Sequence, residues 1–66
     1  MDILLNGQSQ NVTDAITVAD LLEEIGIPRR GIAVEVNGSL VPRSTHNVHC
    51  LSPGDRLEIV TLVGGG

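Results

Sequence analysis

The chain opens on a short alternation in which Ile3 and Leu5 fall on one side and Asp2 and Leu4 on the other. That period predicts a strand with one clearly apolar face. Asn6-Gly7 follows. A two-residue hairpin of type I′ needs positive φ at both central positions, and this pair tolerates it well. A second strand is predicted over residues 8–12. Its polar composition assigns it to a sheet edge, and Thr13-Asp14 marks its exit.

The period then changes. Val18, Leu21, Leu22 and Ile25 fall at i, i+3, i+4 and i+7, the stripe of a helix buried along one side. Thr17 is placed to cap the amide of Asp20, with the Asp20 carboxylate reaching back as in a capping box. Ile16 can staple onto Leu21 from outside the helix. Gly26 supplies the left-handed stop, Ile27 can fold back on Leu22, and Pro28 prevents continuation. A helix of little more than two turns does not persist alone, so packing on a sheet must hold it. Glu23 and Glu24 sit at the negative end of the helix dipole and read as a solvated acidic face, offset in part by Arg29 and Arg30.

Beyond Pro28 the alternation returns. Residues 32–36 form a predicted third strand with Val34 and Val36 inward and Glu35 outward. Asn37-Gly38 repeats the hairpin signal and leads into a short fourth strand, 39–41, closed by Pro42. Residues 44–51 are irregular apart from one helical turn. Ser52-Pro53-Gly54-Asp55 has proline at the second position of a turn, and residues 56–63 form the last and longest strand. Two hairpins flanking one helix predict an α+β fold, the β-grasp arrangement seen in ubiquitin. It has a mixed sheet of five strands, or four, covered on one face by the helix. The first and last strands lie side by side and parallel at its centre. The expected organisation is one domain over residues 1–63 and a flexible tail over 64–66.

Composition narrows this further. The chain has 66 residues and no aromatic residue, so Leu, Ile and Val must build the core. Its single cysteine, Cys50, excludes an internal disulfide and fits a reducing compartment. No apolar run approaches a membrane span, and the start of the chain lacks the basic region and long apolar stretch of a signal peptide. The expectation is a cytoplasmic protein that is a monomer when free. Eight carboxylates face four arginines, giving a net charge of −4. That argues against nucleic acid, which requires a basic stripe. An acidic surface suits both solubility and docking onto basic partner surfaces.

Candidate chemistry is sparse. His46, His49 and Cys50 cluster in sequence, but a structural zinc site usually pairs two such clusters, and the chain has no second. No metal is expected. The same residues do not make a nucleophile pair, since no oxyanion feature accompanies them. Cys50 is expected to behave as a small buried hydrophobe. The carboxylates are scattered without dyad spacing, and no glycine-rich phosphate loop precedes the helix. The chain is therefore not expected to be an enzyme by itself. What remains is the outward apolar set Leu4, Val60 and Leu62, a candidate docking patch, and the ending Gly64-Gly65-Gly66. Without aromatic anchors, docking should be weak and transient. Three glycines reach about 10 Å at 3.3–3.6 Å per residue. They can thread a slot too narrow for any Cβ, and they end in a carboxylate.

The ending Leu57-Glu58-Ile59-Val60-Thr61-Leu62-Val63-Gly64-Gly65-Gly66 resembles that of the ThiS family of bacterial sulfur carriers in thiamin biosynthesis. So do Val36-Asn37-Gly38-Ser39-Leu40-Val41-Pro42-Arg43 and the start Ile3-Leu4-Leu5-Asn6-Gly7, and the resemblance covers the whole chain. That family often has an aromatic residue shortly after the Pro-Arg pair, where Thr45 and His46 stand here. The resemblance implies that the Gly66 carboxylate is the covalent site, with Gly64 and Gly65 threading the tail into partner sites. A ThiF-type adenylyltransferase would activate it with ATP and magnesium, no cofactor being held stably by the carrier. A cysteine desulfurase would be the indirect sulfur source and thiazole synthase the acceptor. Two rival readings remain: the small sulfur-carrier subunit of molybdopterin synthase, whose members are typically longer, and a ubiquitin-like protein modifier or plain interaction domain.

Overall fold

The computed structural model describes residues 1–62. Strand β1 (Asp2–Leu5) turns at Asn6-Gly7 into β2 (Gln8–Asn11). Helix α1 (Val18–Ile25) crosses to β3 (Ile32–Val36), which turns at Asn37-Gly38 into β4 (Ser39–Leu40). A single 3₁₀ turn, Arg43–Thr45, precedes β5 (Arg56–Thr61). Both turns have the type I′ signature: φ is 48° and 83° at Asn6 and Gly7, and 52° and 86° at Asn37 and Gly38.

The five strands form one sheet in the order β2-β1-β5-β3-β4. β1 and β5 are parallel, with Leu4 opposite Arg56 and Leu5 opposite Leu57. β5 and β3 are antiparallel, with Val60 opposite Ala33, Glu58 opposite Glu35 and Val36 opposite Leu57. The expected mixed five-stranded sheet, with first and last strands parallel at its centre, is therefore present. Three boundaries differ slightly. β5 ends at Thr61, with Leu62 just past it, where the prediction ran to residue 63. β2 stops at Asn11, although the Val12 amide still donates to the Met1 carbonyl; the Val12 side chain turns into the core. β4 stops at Leu40, although the Val41 amide still donates to the Val34 carbonyl.

The inward faces of the strands and the apolar stripe of α1 make one core. Ile3, Val34, Val36 and Leu57 of the sheet meet Val18, Leu21 and Leu22 of the helix, with Val12, Ile16, Val41 and Leu51 closing the margins. Thr17 Oγ1 accepts from the Asp20 amide at 3.1 Å. The reciprocal bond from the Asp20 carboxylate is not formed. The N-terminal amides of the helix instead find backbone carbonyls: Val18 donates to His49 and Ala19 to His46. These bonds fix the irregular segment after the 3₁₀ turn against the helix start and satisfy donors that every helix leaves open. At the other end Gly26 is left-handed (φ 78°), its amide donates to the Glu23 carbonyl and the Ile27 amide to the Leu22 carbonyl, a Schellman closure. No side chain at Gly26 would meet another atom, so backbone conformation alone calls for glycine there. Ala15 also adopts a left-handed conformation (φ 58°), without the excuse of a missing Cβ.

Candidate functional site

The sheet has a covered face and an open one, and the open face carries the candidate site. Pairing fixes its layout. Arg56, Glu58, Val60 and Leu62 point outward along the C-terminal stretch, beside Ala33 and Glu35 of β3 and Leu40 of β4. Val60 is 48% exposed and Leu62 58%, against 1% for the inward Leu57. The Leu62 amide donates to the Gly31 carbonyl at 2.8 Å, so the chain is still tied to the sheet there. The structure thus brings Val60, near the end of β5, together with Leu62 just past it.

Leu4 is not part of that group. It is partly exposed and on the same open face, but it pairs with Arg56. Four residues along β5 separate that position from Val60, about 13 Å at the rise of a strand. Arg56 and Glu58 occupy the interval. Alternation gives each side chain its face, but the parallel register decides its neighbours, and this register removes Leu4 from the patch. Leu40, exposed and opposite Glu35, lies nearer; sequence reasoning passed over it because a two-residue strand gives too short a period to assign a face. Glu35 and Glu58 face one another across the strand pair, and among the described residues neither has a salt-bridge partner. Like charges directly opposite each other destabilise a sheet.

The histidine and cysteine cluster separates on folding. His46 is buried, and because a carbonyl can only accept, its Nε2–H donates to the Val41 oxygen at 3.1 Å. Its Nδ1 is buried without a partner. Cys50 is exposed, not the buried hydrophobe expected of it, because Leu51 takes the inward position beside it. Among the described residues no three His, Cys, Asp or Glu side chains are placed to hold a metal, and no pocket is enclosed.

Both hairpin asparagines have a second role that the turn signal does not reveal. The Asn6 side chain lies against β5, Oδ1 accepting from the Ile59 amide at 2.8 Å and Nδ2 donating to the Ile59 carbonyl at 3.3 Å. Asn37 does the same at the start of the strand, Oδ1 accepting from the Arg56 amide at 2.9 Å and Nδ2 donating to Asp55 Oδ1 at 3.0 Å. The turn of each hairpin therefore holds the backbone of β5, from opposite sides of the strand.

Val63 and the tail residues Gly64, Gly65 and Gly66, which hold the expected covalent and threading positions and the domain boundary, lie outside the described residues.

The sheet order, the parallel central pair and the single covering helix define a protein of the ubiquitin-like β-grasp class. Within that class the chain belongs to the ThiS family, whose model matches residues 3–66 and so runs through the last glycine. It is 32% identical over 66 residues to the sulfur carrier protein ThiS of Escherichia coli, covering 100% of both chains. It is 41% identical to a thiazole synthase of Paramagnetospirillum magneticum and 36% identical to one of Magnetococcus marinus, over its whole length in each case. The chain spans 20% of the length of each of those two proteins. The crystal structure of a thiamine biosynthesis protein (ThiS) from Geobacter metallireducens superposes with a TM-score of 0.88 at 26% identity, covering 100% of both chains.

Proposed function

We propose that this chain is a sulfur carrier of thiamin biosynthesis, not a catalyst, and that the carboxylate of Gly66 is the group that carries sulfur. The observation that supports this best is the match to the ThiS family, which extends through Gly64-Gly65-Gly66. The E. coli carrier of the same length and the Geobacter fold support it further. The chemistry follows from what a carboxylate lacks. Its charge repels nucleophiles and oxide is a poor leaving group, so it must first be activated. An adenylyltransferase of the ThiF type, using its own ATP and magnesium, joins a Gly66 carboxylate oxygen to the α-phosphorus and releases pyrophosphate. A sulfur nucleophile, derived from cysteine through a desulfurase, attacks the carbonyl carbon. AMP leaves with the electrons of the broken C–O bond. The nucleophile being a persulfide, the acyl disulfide so formed is cleaved by a thiol, which supplies two electrons, takes the donor sulfur into a disulfide and leaves the thiocarboxylate.

Thiazole synthase is the acceptor in this reading. Two proteins of that name contain a segment similar to this entire chain, which favours it over a molybdopterin synthase partner. Gly64 and Gly65 thread the tail into the active sites of both partners, and Val60 and Leu62 dock its base. ATP–pyrophosphate exchange with the adenylyltransferase tests the proposal. The full chain supports exchange, whereas a chain lacking Gly66 folds identically and supports none. Exchange that survives the deletion would contradict the assignment of Gly66.

A further inference from the structure

The backbone directions along β5 alternate. The Arg56 carbonyl and the Leu62 amide bond to the β3 side, to Asn37 and Gly31, while the Leu57 carbonyl accepts from Asn6 on the β1 side. Ile59 therefore presents its amide and carbonyl toward β1. But β1 has ended at Leu5, opposite Leu57, and its chain has turned away. β5 runs on for four more residues with that side uncovered by any strand. Among the described residues, the one group that follows it is the Asn6 carboxamide. A carboxamide has both a donor and an acceptor, so it can stand in for a peptide group of the missing strand. Asn6 reaches this position because it sits in the left-handed turn (φ 48°), a conformation asparagine tolerates better than most residues.

We propose that Asn6 is a positioning residue for partner docking: its carboxamide holds the stretch that bears Val60 and Leu62 in strand conformation where β1 no longer does. The proposal rests on the carrier reading above. With the carboxamide removed, residues beyond Leu57 are held on the β3 side alone. They then lose order in the free protein and must recover it on docking, which weakens the encounter while leaving chemistry in the docked complex unchanged. Asn37 makes the comparable contact at the opposite end of the strand, next to Arg56 and far from Val60, and serves as the structural control.

The test measures steady-state adenylation of the full chain by a ThiF-type adenylyltransferase, with amide exchange of the free variants by NMR. Asn6→Asp keeps the turn and the acceptor but sets a carboxylate oxygen against the Ile59 carbonyl. Asn6→Gly keeps the turn and removes the side chain. Both are expected to raise KM for the carrier about five- to tenfold, the worth of one or two net hydrogen bonds. Turnover at saturation should stay within about twofold, with faster exchange at Ile59. Asn37→Gly is expected to lower the melting temperature with KM unchanged. If the Asn6 variants leave KM unchanged, or Asn37→Gly raises it equally, the proposal is overturned while the carrier reading stands. A wild-type chain that is never adenylated overturns both. Should Asn6→Gly fail to fold, Asn6→Asp decides the outcome through the same two readouts.

Discussion

Replacing Val60 and Leu62 together by lysine should separate docking from folding. Both residues point out of the open face and are about half exposed, so the fold has already taken roughly half of what their burial can give. Covering a complete Val or Leu side chain contributes about 1.5–3 kcal/mol. The two uncovered halves together are therefore worth about 2 kcal/mol to a partner, close to thirtyfold in Kd. Lysine forfeits that contribution and adds charge facing a partner that an acidic carrier should meet with basic surface. The cost to the fold is small, about 1 kcal/mol or less, because lysine stems lie along a sheet and their ammonium groups stay in water near Glu35 and Glu58. Titration calorimetry with the adenylyltransferase gives the first quantity and urea denaturation the second. Leu4→Gln is the companion variant; lying beside Arg56, it should weaken binding far less. Docking through Val60 and Leu62 is refuted if the double variant binds as the wild type does, if it loses stability on the scale of its binding loss, or if Leu4→Gln matches it.

Three substitutions probe the scaffold. Leu57→Ala, on the central strand and 1% exposed, is expected to cost about 2–5 kcal/mol by denaturant titration. Ala15→Asn should raise stability by up to about 1 kcal/mol in the same assay, since Ala15 holds a left-handed backbone (φ 58°) that asparagine occupies more readily. Glu58→Gln should raise stability by a few tenths of a kcal/mol by removing the repulsion with Glu35; the gain should shrink in high salt, which screens that repulsion in the wild type.

The local signals in the sequence carried most of the fold. The Asn-Gly pairs, the Thr17 cap, the stripe from Val18 to Ile25 and the stop at Gly26 each depend on a few neighbouring residues, and each sits where its chemistry placed it. What escaped depends on contacts distant in sequence. Alternation puts Leu4 on the correct face but says nothing of its neighbours, because it has no information about parallel register. The side chains of Asn6 and Asn37 read only as turn formers, since their hold on β5 exists only after residues 53 and 19 apart have met. Cys50 is exposed where a buried hydrophobe is expected, and Leu51 takes the inward place, because an irregular segment has no period to assign faces. His46 supplies a buried planar ring in a chain without Phe, Tyr or Trp. The composition showed that aromatic packing was missing; the fold shows what fills part of its place.

The proposed chemistry rests on one functional group, the Gly66 carboxylate. Intact-mass analysis after incubation with ATP, a ThiF-type adenylyltransferase and a cysteine desulfurase with cysteine tests it most directly. The expected result is a gain equal to one oxygen replaced by sulfur, localised by fragmentation to Gly66 and dependent on ATP. A chain that keeps its mass, or that appears only in amide-linked adducts with lysines of other proteins, would contradict it.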